Sequence, residues 1–197
     1  MTERRTALAL ALAVGTVAFG AALALRTVVD PWLATGAAAA ISALVAAWAL
    51  GRARLTALFT SDARRIAWAA LLGIGLVVAT HLAFRAVASL LGAHVAHLYA
   101  SIDVATPRAA RAALTLGVVV AEELVWRGCA VAIGGPVLAV ALYALPQLAG
   151  GEWILVVAAV GLGAVLDHQR RRTGSLVAPL ITHAIWSVAI FVVVPLT

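Results

Sequence analysis

The chain has 197 residues, of which 64% are hydrophobic, and 14 basic residues against 8 acidic residues give it a formal net charge of +6. Soluble domains contain about 45–50% apolar residues, so this composition excludes a soluble domain with a single anchor and predicts an integral membrane protein. The basic residues are all arginine and form no stripe with interleaved aromatic residues, which excludes nucleic-acid binding as the main role.

Seven apolar spans follow one another along the chain. A bilayer core requires about 20 apolar residues per helix. The spans cover residues 7–25, 32–50, 66–91, 112–133, 136–149, 152–168 and 174–196. They predict an all-α, polytopic transmembrane bundle of about seven helices. We interpret the chain as one membrane domain (1–197), with N-terminal helices and a connector in 1–111 and a helical core that carries most of the polar candidates in 112–197.

The segments between the spans differ in character. Residues 51–65 form a polar connector, and residues 92–111 form a mixed segment that is either an interfacial helix or a loop. A Gly-Gly-Pro sequence at 134–136 is expected to break the fourth span, and Pro146 interrupts the fifth. The first span resembles a signal peptide, but further apolar spans follow it, so we expect it to be retained.

The distribution of arginine predicts the orientation. Cytoplasmic segments of membrane proteins carry an excess of Lys and Arg. With the N-terminus inside, nine arginines lie in inside segments and three in outside segments. The inside residues are Arg4, Arg5, Arg52, Arg54, Arg64, Arg65, Arg170, Arg171 and Arg172, and the outside residues are Arg26, Arg108 and Arg111. We therefore expect a multi-pass protein of the cell membrane with a cytoplasmic N-terminus.

Three ionisable residues lie inside the fourth span. Charged groups at membrane depth are costly, so Glu122, Glu123 and Arg127 are functional candidates by default. Glu123 and Arg127 have the i,i+4 spacing of a helical ion pair. Glu122 lies about 100° round the helix, which leaves its carboxylate free to face another group. In one interpretation the pair only fixes helix packing, and Glu122 reaches water. In the other, Arg127 orients Glu123 and a general base lies in a wet cavity between the helices.

Two further polar pairs share helix faces at i,i+4. His183 and Ser187 lie in the seventh span and can donate two hydrogen bonds to one point, which suits a developing oxyanion. Tyr143 and Gln147 lie in the fifth span, where Gln147 can hold a water or a substrate amide. Either pair can instead serve only in packing, through hydrogen bonds within or between helices.

Together these stretches resemble the CPBP (Abi) family, which comprises CAAX prenyl proteases and bacteriocin-processing proteins. That family shows Glu-Glu-x-x-x-Arg, then Phe-x-x-x-His, then His-x-x-x-Asn or Asp. The first motif is intact from Glu122 to Arg127, and the approach to His183 also fits, through the Arg-Thr-Gly-Ser-Leu sequence at 172–176 and Pro179. The resemblance covers about residues 120–190. The second motif carries Tyr143 and Gln147 in place of Phe and His, and the third carries Ser187 in place of Asn or Asp.

The resemblance implies an intramembrane endopeptidase in which a glutamate activates water near the membrane face. Glu122 would then be the general base, His183 with Ser187 would bind the oxyanion, and Gln147 would orient water. The expected catalytic residues are Glu122, Glu123, Arg127, Gln147, His183 and Ser187. Glutamine cannot accept a proton near neutral pH as the family's histidine can. The expected partners are hydrophobic or lipid-modified peptides and membrane lipids, with no nucleic acid.

The preferred mechanism uses no cofactor. With Gln147 in the second motif, these motifs cannot supply a two-histidine zinc site, although a divalent metal such as zinc remains the alternative. Cys129 is the only cysteine, which excludes a cysteine cluster and predicts a small buried hydrophobic residue. His81 could stand in for the missing imidazole, and His168 is expected to be solvated.

Two other functions stay open from the sequence. A catalytically weak relative would act as a membrane scaffold that binds peptides without cutting them, and Gln147 favours this reading. A small transporter or proton relay could use the glutamates with His81 and Arg85. It is disfavoured because the polar groups cluster and no inverted repeat is present.

Overall fold

The computed structural model describes residues 2–196, and the described chain is entirely helical. Its α-helices are α1 (Thr2–Ala24), α2 (Pro31–Leu50), α3 (Arg52–Leu58), α4 (Ala63–Ile102), α5 (Arg108–Glu122), α6 (Val131–Ala144), α7 (Trp153–Thr173) and α8 (Val177–Val188). π-helical turns at Glu123–Ala130 join α5 to α6, and others at Ala189–Val193 extend α8. A 3₁₀ segment, Leu145–Gly150, follows α6. The predicted all-α helix bundle is confirmed, with α3 as an additional short helix inside the 51–65 connector.

The protein is a multi-pass membrane protein. Five helical stretches are long and apolar enough to cross a bilayer, namely Glu3–Ala24, Pro31–Leu50, Ala63–Ile102, Arg108–Gly150 and Trp153–Thr173. A shorter apolar stretch, Val177–Val193, completes the bundle.

The Arg108–Gly150 stretch contains two helical arms. Gly135, immediately before Pro136, has φ 77° and ψ −171°, which breaks the helix where the sequence predicted a break. The guanidinium carbon of Arg127 lies 4.4 Å from the ring centre of Tyr143. Residues 16 positions apart in one straight helix would be separated by about 24 Å, so the chain doubles back at the break.

Helix α4 corrects the prediction for residues 92–111. The segment was expected to be a loop or a separate interfacial helix, but α4 continues without interruption to Ile102. At about 1.5 Å per residue its 40 residues span roughly 60 Å, twice the thickness of a bilayer core. Its last turns are held by two hydrogen bonds, from Trp32 Nε1 to Ile102 O at 2.8 Å and from Tyr99 Oη to Ile190 O at 2.8 Å.

Packing of the bundle places the end of α5 at its centre. Helix α1 packs on α2, α2 packs on α5, and α8 packs on both α4 and α5. Val125, Trp126 and Ala130, in the π-helical turns after α5, have no solvent exposure. Gly15 on α1 lets that helix approach Val125 closely, as small residues do between membrane helices. The polar residues that follow α5 are therefore enclosed by helices on all sides.

Polar contacts at the two ends of the bundle identify which connections share a face. At one end, Leu176 N and Ser175 Oγ donate to Leu58 O at 2.7 and 3.0 Å, which joins the α7–α8 connection to the end of α3. At the other end, Arg26 after α1 forms an ion pair with Glu152 before α7 at 2.9 Å. The first end is called the arginine-rich face, because it carries the arginines of residues 52–65 and 170–172.

We expect Gly15→Ala to lower the free energy of unfolding by about 1–3 kcal/mol, because overpacking forces stiff neighbours to move. A Cβ at this position would lie 2.9 Å from Cγ1 of Val125, a β-branched residue with no free space. Thermal unfolding of the purified protein in detergent measures the change. The matched control is Gly75→Ala on α4, where nothing lies within 4 Å of the added Cβ. Equal melting temperatures for the two variants would contradict the close approach of α1 to the π-helical segment after α5.

Candidate active site

The two glutamates lie where α5 changes from α-helical to π-helical geometry. Glu122 is the last residue of α5, and Glu123 begins the eight-residue π-helical segment that ends at Ala130. The sequence predicted a regular α-helix through residues 112–133, so the π-helical turns correct that expectation. Such turns occur frequently at functional sites, because they redirect side chains that an α-helix would place elsewhere. All eight residues of the segment are buried.

His183 of α8 lies between the two carboxylates. Its Nδ1 is 2.8 Å from Oε1 of Glu123, and its Nε2 is 3.6 Å from Oε2 of Glu122. The imidazole is 2% exposed, Glu123 is fully buried and Glu122 is 7% exposed. An Nδ1–H donated to Glu123 fixes the ring and directs Nε2 towards Glu122. The structure thus brings together the acid and the imidazole that the sequence analysis placed on different spans.

The predicted Glu123–Arg127 ion pair is confirmed, and Arg127 makes two further contacts. Nη1 of Arg127 lies 3.3 Å from Oε1 of Glu123, and its Nε lies 3.4 Å from Oδ1 of Asp167 on α7. The guanidinium also stacks over the ring of Tyr143. All of these groups are buried, and Glu123 and Arg127 are completely so. Arg127 therefore holds α5, α6 and α7 together behind His183.

Asp167 was missed by the sequence analysis as a residue of the site. It was read only as part of the polar end of the sixth predicted span, next to His168 and the arginine run. Two features of the sequence could have identified it. Asp167 lies inside the sixth apolar span, about one turn before the arginine run, and a buried arginine such as Arg127 needs acceptors to balance its charge. His168 is exposed, as predicted.

Tyr143 was noted only as a substitute for phenylalanine, but its hydroxyl takes part in the site. Oη lies 3.3 Å from Nε2 of His183, and the two rings meet edge to face with centroids 6.0 Å apart. A phenylalanine would keep the edge-to-face contact and lose the hydrogen bond. The residue therefore supports the imidazole on the side that faces Glu122.

A cavity of about 170 Å³ lies in front of Glu122 and His183. Tyr143, Gln147 and Ser187 also line it. Ser187 is 5% exposed and Gln147 is half-buried. The rest of the wall is mainly apolar, with Leu23, Trp32, Leu98, Leu155, Leu162 and Phe191 among its members. The cavity is roomy enough for several waters, since a single water needs roughly 10–15 Å³.

Not every predicted residue faces this cavity. Glu123 and Arg127 are not part of the cavity wall, and Glu123 contacts His183, which is part of that wall. His81 hydrogen-bonds the carbonyl oxygens of Val77 and Val194 at 2.9 and 3.0 Å and is not part of the cavity wall, so it does not replace the missing imidazole. Cys129 is buried, as expected.

The donor groups of the site lie on different sides of the His183 imidazole. The two carboxylates meet different nitrogens of His183, so only Glu122 and Nε2 of His183 point to the same side of the ring. Catalytic zinc usually has three protein ligands. Within residues 2–196, no three His, Cys, Asp or Glu side chains are grouped so that they could hold a metal ion.

Comparison with known proteins identifies the segment that carries this geometry. Residues 105–189 match the family model described as type II CAAX prenyl endopeptidase Rce1-like. The match runs from just before α5 to the residue after α8, and it includes the polar residues of the site, namely Glu122, Glu123, Arg127, Tyr143, Gln147, Asp167, His183 and Ser187. It confirms the family resemblance noted from the motifs. Neither the curated proteins nor the solved structures that were searched gave a match to the chain.

We expect Arg127→Met to destabilise the protein by about 3–5 kcal/mol, because it leaves Glu123 and Asp167 buried without a cation. Asp167→Asn should cost less, since Arg127 keeps Glu123. Thermal unfolding in detergent gives both values. Arg65→Gln, which breaks the exposed Arg65–Asp62 pair, is the control and should change stability by at most about 1 kcal/mol. A cost for Arg127→Met no larger than that of the control would contradict the proposed packing role.

Proposed function

We propose that this protein, whose residues 105–189 match the Rce1-like family of type II CAAX prenyl endopeptidases, is a membrane-embedded endopeptidase. The observation that carries the proposal is the pairing of Glu122 with His183 inside a cavity. Oε2 of Glu122 and Nε2 of His183 lie 3.6 Å apart, close enough to act on one water and one carbonyl group. Both groups line the cavity, so a substrate can reach them.

Glu122 acts as the general base in the proposed reaction. Its carboxylate accepts a proton from water while the water oxygen attacks the peptide carbonyl carbon. The resulting oxyanion accepts hydrogen bonds from Nε2–H of His183 in its imidazolium form and from Oγ–H of Ser187. The carbon–nitrogen bond then breaks, and the proton held by Glu122 passes to the leaving amine. Water is consumed, and the two products are a carboxylic acid and an amine.

Glu123 and Arg127 position the imidazole in this mechanism. Glu123 accepts a hydrogen bond from Nδ1–H of His183 and is itself held by Arg127. Fixing Nδ1 in this way leaves Nε2 directed at Glu122 and the substrate. Gln147 replaces the histidine of the family motif and can orient water through its amide without carrying charge.

The reaction is proposed to proceed without a metal. The cavity side of the site offers one carboxylate and one imidazole nitrogen from the chain, which is fewer than the three ligands usual for catalytic zinc. In the proposed reaction water is activated by Glu122, which accepts its proton, and not by a metal ion.

The substrates are proposed to be hydrophobic or lipid-modified peptides. The cavity wall is mainly apolar beyond the catalytic residues, and it lies among helices apolar enough to cross a membrane. A peptide must leave water to enter it, so apolar side chains or a lipid group would supply the favourable free energy of transfer.

A second candidate function is a scaffold that binds such peptides and cleaves them slowly or not at all. The observation that favours it is Gln147, which lines the cavity where the family motif has histidine. An amide cannot take or give a proton in the reaction, so Glu122 would have to carry every proton transfer.

The protein is proposed to lie in the cell membrane with its N-terminus in the cytoplasm. Nine arginines then occupy cytoplasmic segments and three occupy outer ones. The Leu58–Ser175 contacts support the grouping, because they bring the segments on either side of them to one end of the bundle. In this orientation Arg26 lies at the outer end.

We expect Glu122→Gln to reduce peptide cleavage by about 10²–10⁴-fold, the usual contribution of a general base, while the fold is retained. The measurement is cleavage of a fluorogenic hydrophobic peptide by the purified protein in detergent, with the melting temperature recorded for each variant. Glu3→Gln, at an exposed position on α1, is the matched control and should leave cleavage unchanged.

Gln147→His separates the two candidate functions. If the protein is an enzyme, the wild type cleaves the peptide and Glu122→Gln removes that cleavage. A scaffold shows no cleavage until histidine is restored. Wild-type cleavage that survives Glu122→Gln would contradict the proposed mechanism.

Thiol labelling tests the orientation. We expect a membrane-impermeant maleimide to label Ala105→Cys in intact cells, and to label Thr60→Cys only after the membrane is opened. Both positions are exposed and lie in connections at opposite ends of the bundle. The native Cys129 is buried and serves as the unlabelled background. The reverse pattern would place the N-terminus outside.

A further inference from the structure

Closely packed side chains seal the catalytic pair from the arginine-rich face. Glu123 and Arg127 have no solvent exposure, and Asp167, about one turn before the arginine run, is 2% exposed. Other residues of α7, of α8 and of the connection between them also have no exposure, namely Leu166, Gln169, Leu176 and Thr182. A protein interior packed in this way leaves no passage for a peptide chain. A substrate therefore has no open path to Glu122 from that face.

The cavity in front of the catalytic pair extends in the opposite direction. Its wall includes Pro31, the first residue of α2, and Ile102, the last residue of α4. Arg26, between α1 and α2, also lines it and pairs with Glu152 before α7. These four residues mark the end of the bundle remote from the arginine-rich face, here named the Arg26–Glu152 end. In the described part of the chain, no arginine of the arginine-rich face lines the cavity.

Side chains along the cavity wall are partly open to solvent, in contrast to the seal on the other side. Thr35 on α2, Ile102 on α4, and Leu155 and Ala158 on α7 are all half-buried. They belong to the same cavity as Glu122, so the space in front of this carboxylate communicates with the surroundings of the bundle at the Arg26–Glu152 end. The catalytic pair is thus closed on one side and open on the other.

We propose that the substrate enters from the outer side of the membrane, so that the protein cleaves exported peptides or the outer segments of membrane proteins. This inference rests on the endopeptidase function and the orientation proposed above, and it adds the side from which the substrate comes. The excess of arginine places the arginine-rich face in the cytoplasm. The Arg26–Glu152 end, and with it the open side of the cavity, then faces outwards.

The depth of the catalytic pair sets the length of peptide that must enter. Glu122 is the last residue of the 15-residue helix α5, which begins at Arg108 beside the Arg26–Glu152 end. At about 1.5 Å per residue, Glu122 lies roughly 20 Å from that end. An extended peptide covers about 3.3–3.6 Å per residue, so about six extended residues reach from the opening to Glu122. The substrate is therefore a flexible peptide or an unfolded segment, and a folded exported domain is excluded.

Cysteine accessibility tests the direction in which the cavity opens. Ala158→Cys places a thiol in the half-buried part of the cavity wall, and Thr35→Cys is a second probe on α2. We expect a membrane-impermeant maleimide to label both in intact cells, because the reactive thiolate forms only where water reaches the sulfur. Ala57→Cys, exposed on α3 at the arginine-rich face, should be labelled only after the membrane is opened.

Two controls accompany the labelling. Ala40→Cys is exposed on α2 inside an apolar span and does not line the cavity, so it should stay unlabelled unless the reagent enters the lipid. The melting temperature of each variant in detergent shows whether it is folded. Native Cys129 is buried and gives the background.

Cleavage in vesicles tests whether the substrate uses the same direction. The full-length protein is held in right-side-out or inverted membrane vesicles and receives a fluorogenic hydrophobic peptide with a sulfonated tag that cannot cross the membrane. We expect right-side-out vesicles to cleave it directly and inverted vesicles to cleave it only after detergent is added. Vesicles with Glu122→Gln give the background from other proteases. Labelling of Ala158→Cys should abolish cleavage, whereas labelling of Ala57→Cys should leave it unchanged.

Labelling of the cavity thiols only from the side that labels Ala57→Cys, or from neither side, would overturn the inference. Cleavage by inverted vesicles alone that depends on Glu122 would also overturn it and would leave the endopeptidase standing. Labelling of the cavity thiols from outside, without any cleavage in detergent, would support the outward opening and overturn the enzyme. Labelling of Ala57→Cys in intact cells would reverse the orientation and overturn the entry of substrate from the outer side.

Discussion

Arg127 is the residue on which the candidate site depends. A charge at this depth is tolerated only when it is paired, and Arg127 reaches Glu123, Asp167 and the face of Tyr143 at once. Those contacts join the π-helical segment after α5 to α6 and α7, so the cluster fixes these three elements relative to one another. Glu123 in turn holds His183 of α8. Glu123 and Arg127 are completely buried, which restricts their motion. In the proposed mechanism a rigid support of this kind holds the imidazole in the orientation that the reaction requires.

The two adjacent glutamates, Glu122 and Glu123, have different surroundings. Glu123 is sealed behind the imidazole and accepts hydrogen bonds from His183 and Arg127 on Oε1, whereas Glu122 lines a cavity that can hold water. In the proposed mechanism, the same residue type therefore positions the imidazole in one place and transfers a proton in the other. The π-helical turns that begin at Glu123 set this difference, because they define where the side chains after α5 point.

Replacement of the motif histidine by Gln147 removes an ionisable group from the cavity and leaves a polar side chain there. The amide keeps hydrogen-bonding capacity in the cavity that Glu122 lines, but it cannot assist in proton transfer. Tyr143, one turn earlier, adds a hydroxyl that contacts His183. Polarity that the family motif places at one residue is thus distributed here over Tyr143 and Gln147. Arg26 also lines the cavity, and the rest of the wall is mainly apolar.

The sequence by itself determined that the chain is a bundle of membrane helices, because the apolar spans and the break at Gly134-Gly135-Pro136 are local properties. It also determined the Glu123–Arg127 pair, since i,i+4 spacing is local as well. Only the tertiary structure decided that α4 continues to Ile102, that the turns from Glu123 are π-helical, and that Asp167 completes the partners of Arg127. Those features arise from packing between helices distant in sequence, and no periodicity within one helix encodes them. The tertiary structure also decided the orientation of His183 between the two carboxylates, because that orientation depends on how α8 docks against α5.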